Sequence, residues 1–152
     1  LNNKDTLLVN KFGRSLTHVF GKKFIPKRGD IVILKRKINE GIVASQPGDG
    51  GAYFVKRVIG LPGDRVVIKN GKLTIFNTAH PQGFEPDSEG KWLKNSQADP
   101  SEITDQVVGI DEIFICGDNR LQSTDSRFYG PVNERDIIGS VELKVLPKPK
   151  HL

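Results

Sequence analysis

The sequence predicts a mostly β, antiparallel protein, on the evidence of its composition, its strand-length runs and its lack of long helical patterns. The 152 residues include 16 Gly and 9 Pro, a turn-rich composition that is typical of a folded β protein and not of a disordered chain. Runs of β-branched and aromatic residues have the length of strands and are separated by turn residues. No segment has the apolar periodicity of an amphipathic helix longer than about two turns. The predicted strands are Thr6 to Phe12, Ile31 to Ile38, Tyr53 to Ile59, Arg65 to Lys69, Lys72 to Asn77, Glu112 to Cys116 and Ile138 to Leu146.

Turn residues indicate how these strands are connected. Asn70-Gly71 separates two alternating runs and predicts a two-residue hairpin, because both residues tolerate a positive φ. Short helices are predicted within Pro100 to Val107 and Asn133 to Ile137. The segment Thr78 to Asp105 is rich in proline and acidic residues and is long for a loop in a compact domain, so we expect a small inserted lobe there.

The net charge of the chain indicates which kinds of partner it could bind. With 23 Lys+Arg against 18 Asp+Glu the net charge is +5, which suits nucleic acid or an anionic membrane surface. The basic residues are not interleaved with aromatic ones as a single-strand binding groove requires, so we expect no nucleic-acid partner. The basic residues could form a solvent-exposed face or a patch that faces a membrane, and the charge alone does not decide between these two interpretations. No apolar stretch approaches the roughly 20 residues that span a bilayer.

The cysteine and histidine content excludes several kinds of site. Cys116 is the single cysteine and lies in an apolar predicted strand, where a small buried hydrophobic side chain is the favoured interpretation. His18, His80 and His151 are scattered without ligand spacing. We therefore expect no metal, no cofactor and no Ser-His or Cys-His pair.

Lys56 is the first residue that suggests chemistry. In the predicted strand Tyr53 to Ile59, side chains alternate between faces, so Phe54, Lys56 and Val58 share one face. Apolar neighbours disfavour the ammonium form, and a lysine with a lowered pKa can act as a base near neutral pH. The alternative is an edge-strand lysine that extends its amine to water.

A second polar segment, Gly117 to Val132, follows an apolar strand. It contains two acid-base pairs and two serines. In one interpretation it is a turn with a surface ion pair, worth roughly 0–1 kcal/mol. In the other, Ser123 forms a hydrogen bond with a buried amine and the Asp-Arg pairs hold the loop rigid. These residues alone leave both interpretations open.

Together the segments resemble the successive signature boxes of bacterial type I signal peptidases. The order and spacing agree from Leu1 to about Val145. The matching segments are Arg28 to Val32, Lys56 to Asp64, and Gly117 to Arg120 with Ser123, Asp125, Ser126, Arg127 and Gly130. The resemblance implies a membrane-anchored serine endopeptidase that uses a Ser/Lys dyad to remove signal peptides from exported preproteins. It also implies an antiparallel, coiled and barrel-like β-sheet with a catalytic domain on the extracytoplasmic side of the cell membrane.

Site residues carried over by this resemblance fall into two groups. Lys56 matches the general base, Ser123 the residue that orients it, and Asp125 and Arg127 match residues that support the loop. Substrate contact is implied for Leu1, Leu7, Phe54 and Val55, although plain core packing is an alternative, above all for Leu7. The implied partners are signal peptides and the membrane lipid surface, and the oligomeric state is left open.

The sequence departs from the family pattern at its start. The family nucleophile lies in a box of the form Ser-Met-x-Pro-Thr-Leu, and Leu1 matches the last residue of that box. The sequence contains no Met and no serine with Pro-Thr at the required offset. We therefore expect residues 1–152 to form one catalytic domain that lacks the nucleophile box and the membrane anchor and is inactive by itself. A truncated or incompletely covered peptidase is one explanation.

Two other functions are compatible with part of this sequence pattern. A natural relative that has lost catalysis and serves as a peptide- or partner-binding module is the main alternative. Self-cleaving repressors of the DNA-damage response share Ser/Lys chemistry on related β folds. The sequence contains no Ala-Gly cleavage site, its Cys116-Gly117 pair lies inside a signature box, and we find no helical DNA-binding segment, so this identity is disfavoured.

Overall fold

The computed structural model describes residues 8–10, 26–37, 51–86, 101 and 103–142. This part of the chain contains nine strands arranged in two antiparallel sheets. The strands are β1 (Leu8–Asn10), β2 (Ile31–Lys37), β3 (Gly51–Gly60), β4 (Arg65–Lys69), β5 (Lys72–Phe76), β6 (Thr104–Val107), β7 (Glu112–Cys116), β8 (Val132–Asn133) and β9 (Ile137–Glu142). The prediction of a mostly β, antiparallel fold is confirmed, and the two described sheets are open rather than closed into a barrel.

The larger sheet has six strands in the order β1-β9-β2-β3-β7-β8. Strand β3 lies between β2 and β7, and its register with β2 places Val32 opposite Lys56. On its other side β3 pairs with β7 only from Arg57 onward, where Arg57 faces Cys116. The half of β3 that precedes Arg57 therefore has one edge that no described strand covers.

The smaller sheet has the order β5-β4-β6. Its β4–β5 hairpin turns at Asn70 and Gly71, whose φ angles are 53° and 75°. Both residues thus adopt the left-handed conformation that Asn and Gly tolerate best, and the hairpin prediction is confirmed.

One of the two predicted helices is wrong. Residues Thr104–Val107, predicted as part of a helix, form strand β6 and pair with β4. The alternation of a buried Thr104 with an exposed Asp105 follows the sheet. Pairing with the neighbouring strand β4 determined the secondary structure of this short polar segment, because β propensity depends on packing against cross-strand neighbours.

The described helices are short. A 3₁₀ turn at Glu134–Asp136 lies inside the predicted helix Asn133 to Ile137. Another at Arg120–Gln122 and the helix α1 (Ser126–Tyr129) lie in the loop after β7 and were not predicted. No helix among the described residues is long and apolar enough to cross a membrane.

Two hydrophobic clusters lie on opposite faces of β3. Val58 belongs to one of them and its neighbour Ile59 to the other, as strand alternation requires. The Ile59 cluster also contains Val66, Ile68, Leu73, Ile75, Val108, Phe114 and Cys116, and the Val58 cluster contains Val32, Leu34, Ile113, Ile115, Val132 and Ile137. Cys116 is fully buried, as predicted.

An ion pair between a partly buried arginine and a buried aspartate lies beside the turn that leads from β3 to β4. Arg28 Nη2 is 2.8 Å from Asp64 Oδ2, and Arg28 also donates to the carbonyl oxygen of Ile59. Asp64 is 3% exposed and accepts further hydrogen bonds from Leu61 N and Asn77 Nδ2. This carboxylate therefore links the end of β3 to the end of β5.

Candidate active site

The Lys56 side chain reaches the loop that follows β7. Its Nζ lies 2.7 Å from Ser123 Oγ, across 67 positions of sequence. Lys56 is partly buried, on the same face of β3 as Val58 and opposite Val32. The sheet thus brings together the two residues that sequence analysis singled out as base and orienting hydroxyl.

The surroundings of Lys56 favour its uncharged form. Burial lowers the pKa of the Lys56 amine below its usual value, and this effect exceeds the opposing influence of Asp125 and Cys116, while the Arg127 charge lowers it further. A neutral amine carries a lone pair and can accept a proton. The amine can therefore act as a general base at a pH where an ordinary lysine remains protonated.

The Ser123 loop is organised around the Asp125 carboxylate. Asp125 is fully buried and accepts hydrogen bonds from Gly117 N at 2.8 Å and Arg127 Nε at 2.7 Å. Arg127 Nη2 donates both to Asp125 Oδ2 and to the carbonyl oxygen of Ser123, at 3.0 Å and 3.1 Å. Removing one partner of such a pair would leave an uncompensated buried charge.

The same contacts act on the protonation of Asp125. Burial by itself raises the pKa of the Asp125 carboxyl. Hydrogen bonds from Arg127, Gly117 and Ser123, together with the Arg127 charge, outweigh burial and hold that pKa below its usual value. Asp125 is therefore a carboxylate, which can only accept hydrogen bonds.

Gly117 leaves the space in which Lys56 and Ser123 meet. A Cβ atom at this position would lie 2.1 Å from Ser123 Oγ and 3.5 Å from Lys56 Nζ. Sequence analysis treated Gly117 only as part of a polar turn segment and of a signature box. Gly117 directly follows Cys116, which pairs with Arg57, and this strand register, which only the fold shows, places it beside Lys56.

Two further contacts hold the loop against the sheet. Arg57 forms two hydrogen bonds to Asp118, at 2.9 Å and 2.8 Å, and a third to the carbonyl oxygen of Gly29. Ser126 Oγ, which is buried, accepts a hydrogen bond from Ile115 N. Sequence analysis gave Arg57 and Asp118 no separate role, although both lie in the quoted motifs.

The predicted substrate contacts are only partly described. Phe54 is partly buried on the Lys56 side of β3, whereas Val55 is 38% exposed on the other. Both belong to the half of β3 that pairs with β2 alone among the described strands. Leu1 and Leu7 lie outside the described residues. Within the described part of the chain, no three His, Cys, Asp or Glu side chains are grouped as a metal site would require.

Known proteins are similar to this chain in sequence. The family model described as "Signal peptidase, peptidase S26" matches residues 1–146. Signal peptidase I P of Bacillus subtilis subsp. natto is 36% identical over 97% of this chain and 70% of its own length. Signal peptidase I V of Bacillus subtilis is 31% identical over 89% of this chain and 71% of its own length.

A solved structure agrees with these sequence matches. The crystal structure of a signal peptidase I from Enterococcus faecalis superposes with a TM-score of 0.51 and 26% identity, over 80% of this chain and 98% of that one. The chain therefore belongs to the signal peptidase family, peptidase S26. The resemblance found in the sequence is confirmed, and with it the fold.

Proposed function

We propose that this protein is a serine endopeptidase that removes signal peptides from exported preproteins by means of a Ser/Lys dyad. The observation that carries the proposal is the partly buried Lys56 amine, 2.7 Å from Ser123 Oγ and with a lowered pKa. Membership of the signal peptidase family supports the substrate class. Ser/Lys pairs are known variants of the serine-protease arrangement and need no histidine.

Lys56 is the general base in this reaction. Its neutral amine takes the proton from a serine hydroxyl while the serine oxygen attacks the carbonyl carbon of the scissile peptide bond. The resulting ammonium gives that proton to the leaving amine as the C–N bond breaks. In the second half, Lys56 takes a proton from water, whose oxygen attacks the acyl-enzyme ester, and returns it to the serine oxygen.

None of the 152 residues forms the Ser-Met-x-Pro-Thr-Leu box of the family pattern, and we propose that the attacking serine belongs to that box. We place it in the box whose final leucine matches Leu1. Ser123 orients the Lys56 amine, and the Asp125–Arg127 pair holds Ser123 in position. If the natural protein has another residue at the serine position of that box, a peptide-binding module without catalysis is the function that remains.

We propose that the substrate binds as an additional strand along the edge of β3 that no described strand covers. An extended peptide placed there would form main-chain hydrogen bonds, while shallow pockets would select small side chains at the first and third positions before the cut. Phe54 and Val55 lie on this part of β3 and are proposed to contact the peptide. Leu1 and Leu7 are proposed to contribute from the N-terminal side.

We further propose that the catalytic domain lies on the extracytoplasmic side of the cell membrane and touches the lipid surface. The net charge of +5 favours an anionic surface. Lys35 lies over the ring of Tyr53, which is 55% exposed. Basic and aromatic side chains together suit the boundary between lipid headgroups and water.

Preprotein cleavage by the full natural protein tests the proposal. Lys56→Ala is expected to abolish cleavage because it removes the base, whereas Lys69→Ala, an exposed lysine on β4, serves as the matched control and should cleave normally. Normal turnover by Lys56→Ala would rule out the proposed base. A wild-type protein that binds preprotein without cleaving it would favour the binding module.

A further inference from the structure

One edge of the smaller sheet is not covered by any described strand. Strand β6 pairs with β4 on one side only. At the opposite edge, strand β5 is bridged by Phe84 through two main-chain hydrogen bonds between Ile75 and Phe84. An uncovered edge strand presents N–H and C=O groups that can pair with another chain. The outer edge of β6 is therefore a place where a further strand can be added.

The hydrogen bonds of Val108 show which main-chain groups of β6 point outward. Val108 N donates to Asp64 O at 2.8 Å, and Gly63 N donates to Val108 O at 2.9 Å, so both groups of Val108 face the side of β4. Along an antiparallel strand, residues that bond one neighbour alternate with residues whose groups face the other side. The residues whose N–H and C=O point to the open edge are therefore Ile103, Asp105 and Val107.

The same three residues have exposed side chains. Ile103 is 79% exposed and Val107 is 67% exposed, and the Asp105 carboxylate between them is 50% exposed. The pairing of β6 with β4 contains no register shift, and residues 103–107 include no Pro, Lys or Arg. This edge thus lacks the lysines, prolines and bulges by which edge strands usually avoid association.

The pattern of side chains along this edge is symmetric about Asp105. If a second copy pairs antiparallel with a two-fold axis at Asp105, Ile103 lies opposite Val107 of the second copy. Each pair of outward-facing residues then exchanges two main-chain hydrogen bonds. The β-branched side chains meet on the exposed face, where such cross-strand pairs are favourable. Two three-stranded sheets would join into one continuous sheet.

The two-fold axis also places the two Asp105 side chains opposite each other. Like charges in that position are destabilising. Here Arg65 Nε and Nη2 donate to Asp105 Oδ1 and Oδ2 at 2.7 Å and 2.5 Å. Each carboxylate therefore brings its own counter-charge, and two neutral ion pairs face each other.

We propose that the outer edge of β6 is a self-association surface, at which two copies of this chain pair β6 with β6 about Asp105. This association is independent of the proposed function and uses none of the residues of the candidate active site. A strand pair of this length buries less than the roughly 1,000 Å² of a stable interface. The dimer is therefore weak and forms at high protein concentration.

Engineered cysteines in the purified full natural protein test the pairing and its register under mild oxidation. Cys116 is the single cysteine of the 152 residues and is fully buried, so the unmodified protein gives the background. Asp105→Cys places its two Cα atoms about 5.5 Å apart, within disulfide range. Val107→Cys is the matched control, because the two Val107 positions lie about 13 Å apart along the strands.

We expect about tenfold more cross-linked dimer from Asp105→Cys than from Val107→Cys, since only the former meets the geometry of a disulfide. Equal cross-linking of the two variants would overturn the proposal. So would an Asp105→Cys protein that gives no dimer above the background.

Sedimentation of the full natural protein over a range of concentrations measures the association without a cross-link. Val107→Lys should raise the dimer dissociation constant at least about tenfold, because both apolar pairs across the two-fold axis are lost. Lys69→Glu changes an exposed charge on the central strand β4 and should leave the constant unchanged. An unmodified protein that stays monomeric throughout, or a Val107→Lys protein that associates as tightly, would overturn the proposal.

The charges at the two-fold axis give a third test in the same assay. Arg65→Ala leaves two facing carboxylates without their counter-charges and should weaken association, whereas Arg65→Ala combined with Asp105→Asn should restore it. If Asp105→Asn restores nothing, Asp105 does not lie at the axis and the proposal fails. Preprotein cleavage should be equal in all these variants, so that failure here is distinguishable from failure of the proposed function.

Discussion

Substitution of Gly117 by alanine tests the geometry of the candidate site most directly. The new Cβ would lie 2.1 Å from Ser123 Oγ and 2.5 Å from Ser123 Cβ. Carbon–carbon contacts are ordinary from about 3.5 Å, so the Cβ of Ser123 would have to move by about 1 Å, the difference between about 3.5 Å and 2.5 Å. Gly117 is not among the glycines with positive φ, and the effect of the substitution is therefore steric.

Such a displacement would separate Ser123 from the Lys56 amine. A misplacement of about 1 Å can cost about 10²-fold in rate, and overpacking of this kind costs about 1–3 kcal/mol of stability. We therefore expect kcat/KM for preprotein cleavage by the full natural protein to fall about 10²-fold. Thermal unfolding should show that the domain still folds.

Gly63→Ala is the matched control for this experiment. A Cβ on Gly63 would meet nothing within 4 Å, but its φ of +86° is strained for alanine. Gly63→Ala should lower the melting temperature and leave kcat/KM unchanged. If Gly117→Ala cleaves as well as Gly63→Ala, the Lys56–Ser123 contact is not needed for catalysis and the reasoning fails.

Two further predictions concern pH and stability. Because Lys56 must be neutral to act as a base and its pKa is lowered, kcat/KM should rise with pH through that lowered pKa and level off before the usual lysine range. A flat profile with folding and binding controlled would contradict this. Asp64→Ala should lower the free energy of unfolding by about 3 kcal/mol, because it removes the buried carboxylate that pairs with the partly buried Arg28 and accepts hydrogen bonds from Leu61 N and Asn77 Nδ2. Asp105→Ala, which breaks an exposed pair, should leave urea unfolding almost unchanged; equal losses in both variants would contradict the role of burial.

Local pattern was enough to predict most of the fold. Alternating side chains predicted β3, β4 and β5, and Asn70-Gly71 predicted the turn between the last two. The same alternation placed Lys56 on the face of Val58, since the period of a strand depends on the backbone alone. The inserted lobe at Thr78 to Asp105 stays a prediction, as does the extent of the catalytic domain.

The sequence predicted less of the candidate site than of the fold. Motif resemblance named Lys56, Ser123, Asp125 and Arg127, but their roles are proposals. Nothing in the linear pattern revealed that Gly117 provides the space for the contact. That close approach depends on three segments meeting, and no single segment contains the information.

What the sequence by itself determined is therefore most of the strands, the Asn70-Gly71 turn and the family. The tertiary structure decided that Thr104–Val107 is a strand, because its partner β4 satisfies its backbone. It also brings the Ser123 hydroxyl to 2.7 Å from the Lys56 amine, since that contact joins residues 67 positions apart through the pairing of β3 with β7. Strand alternation is a local property of the backbone, whereas register and packing between distant segments exist only once the chain has folded.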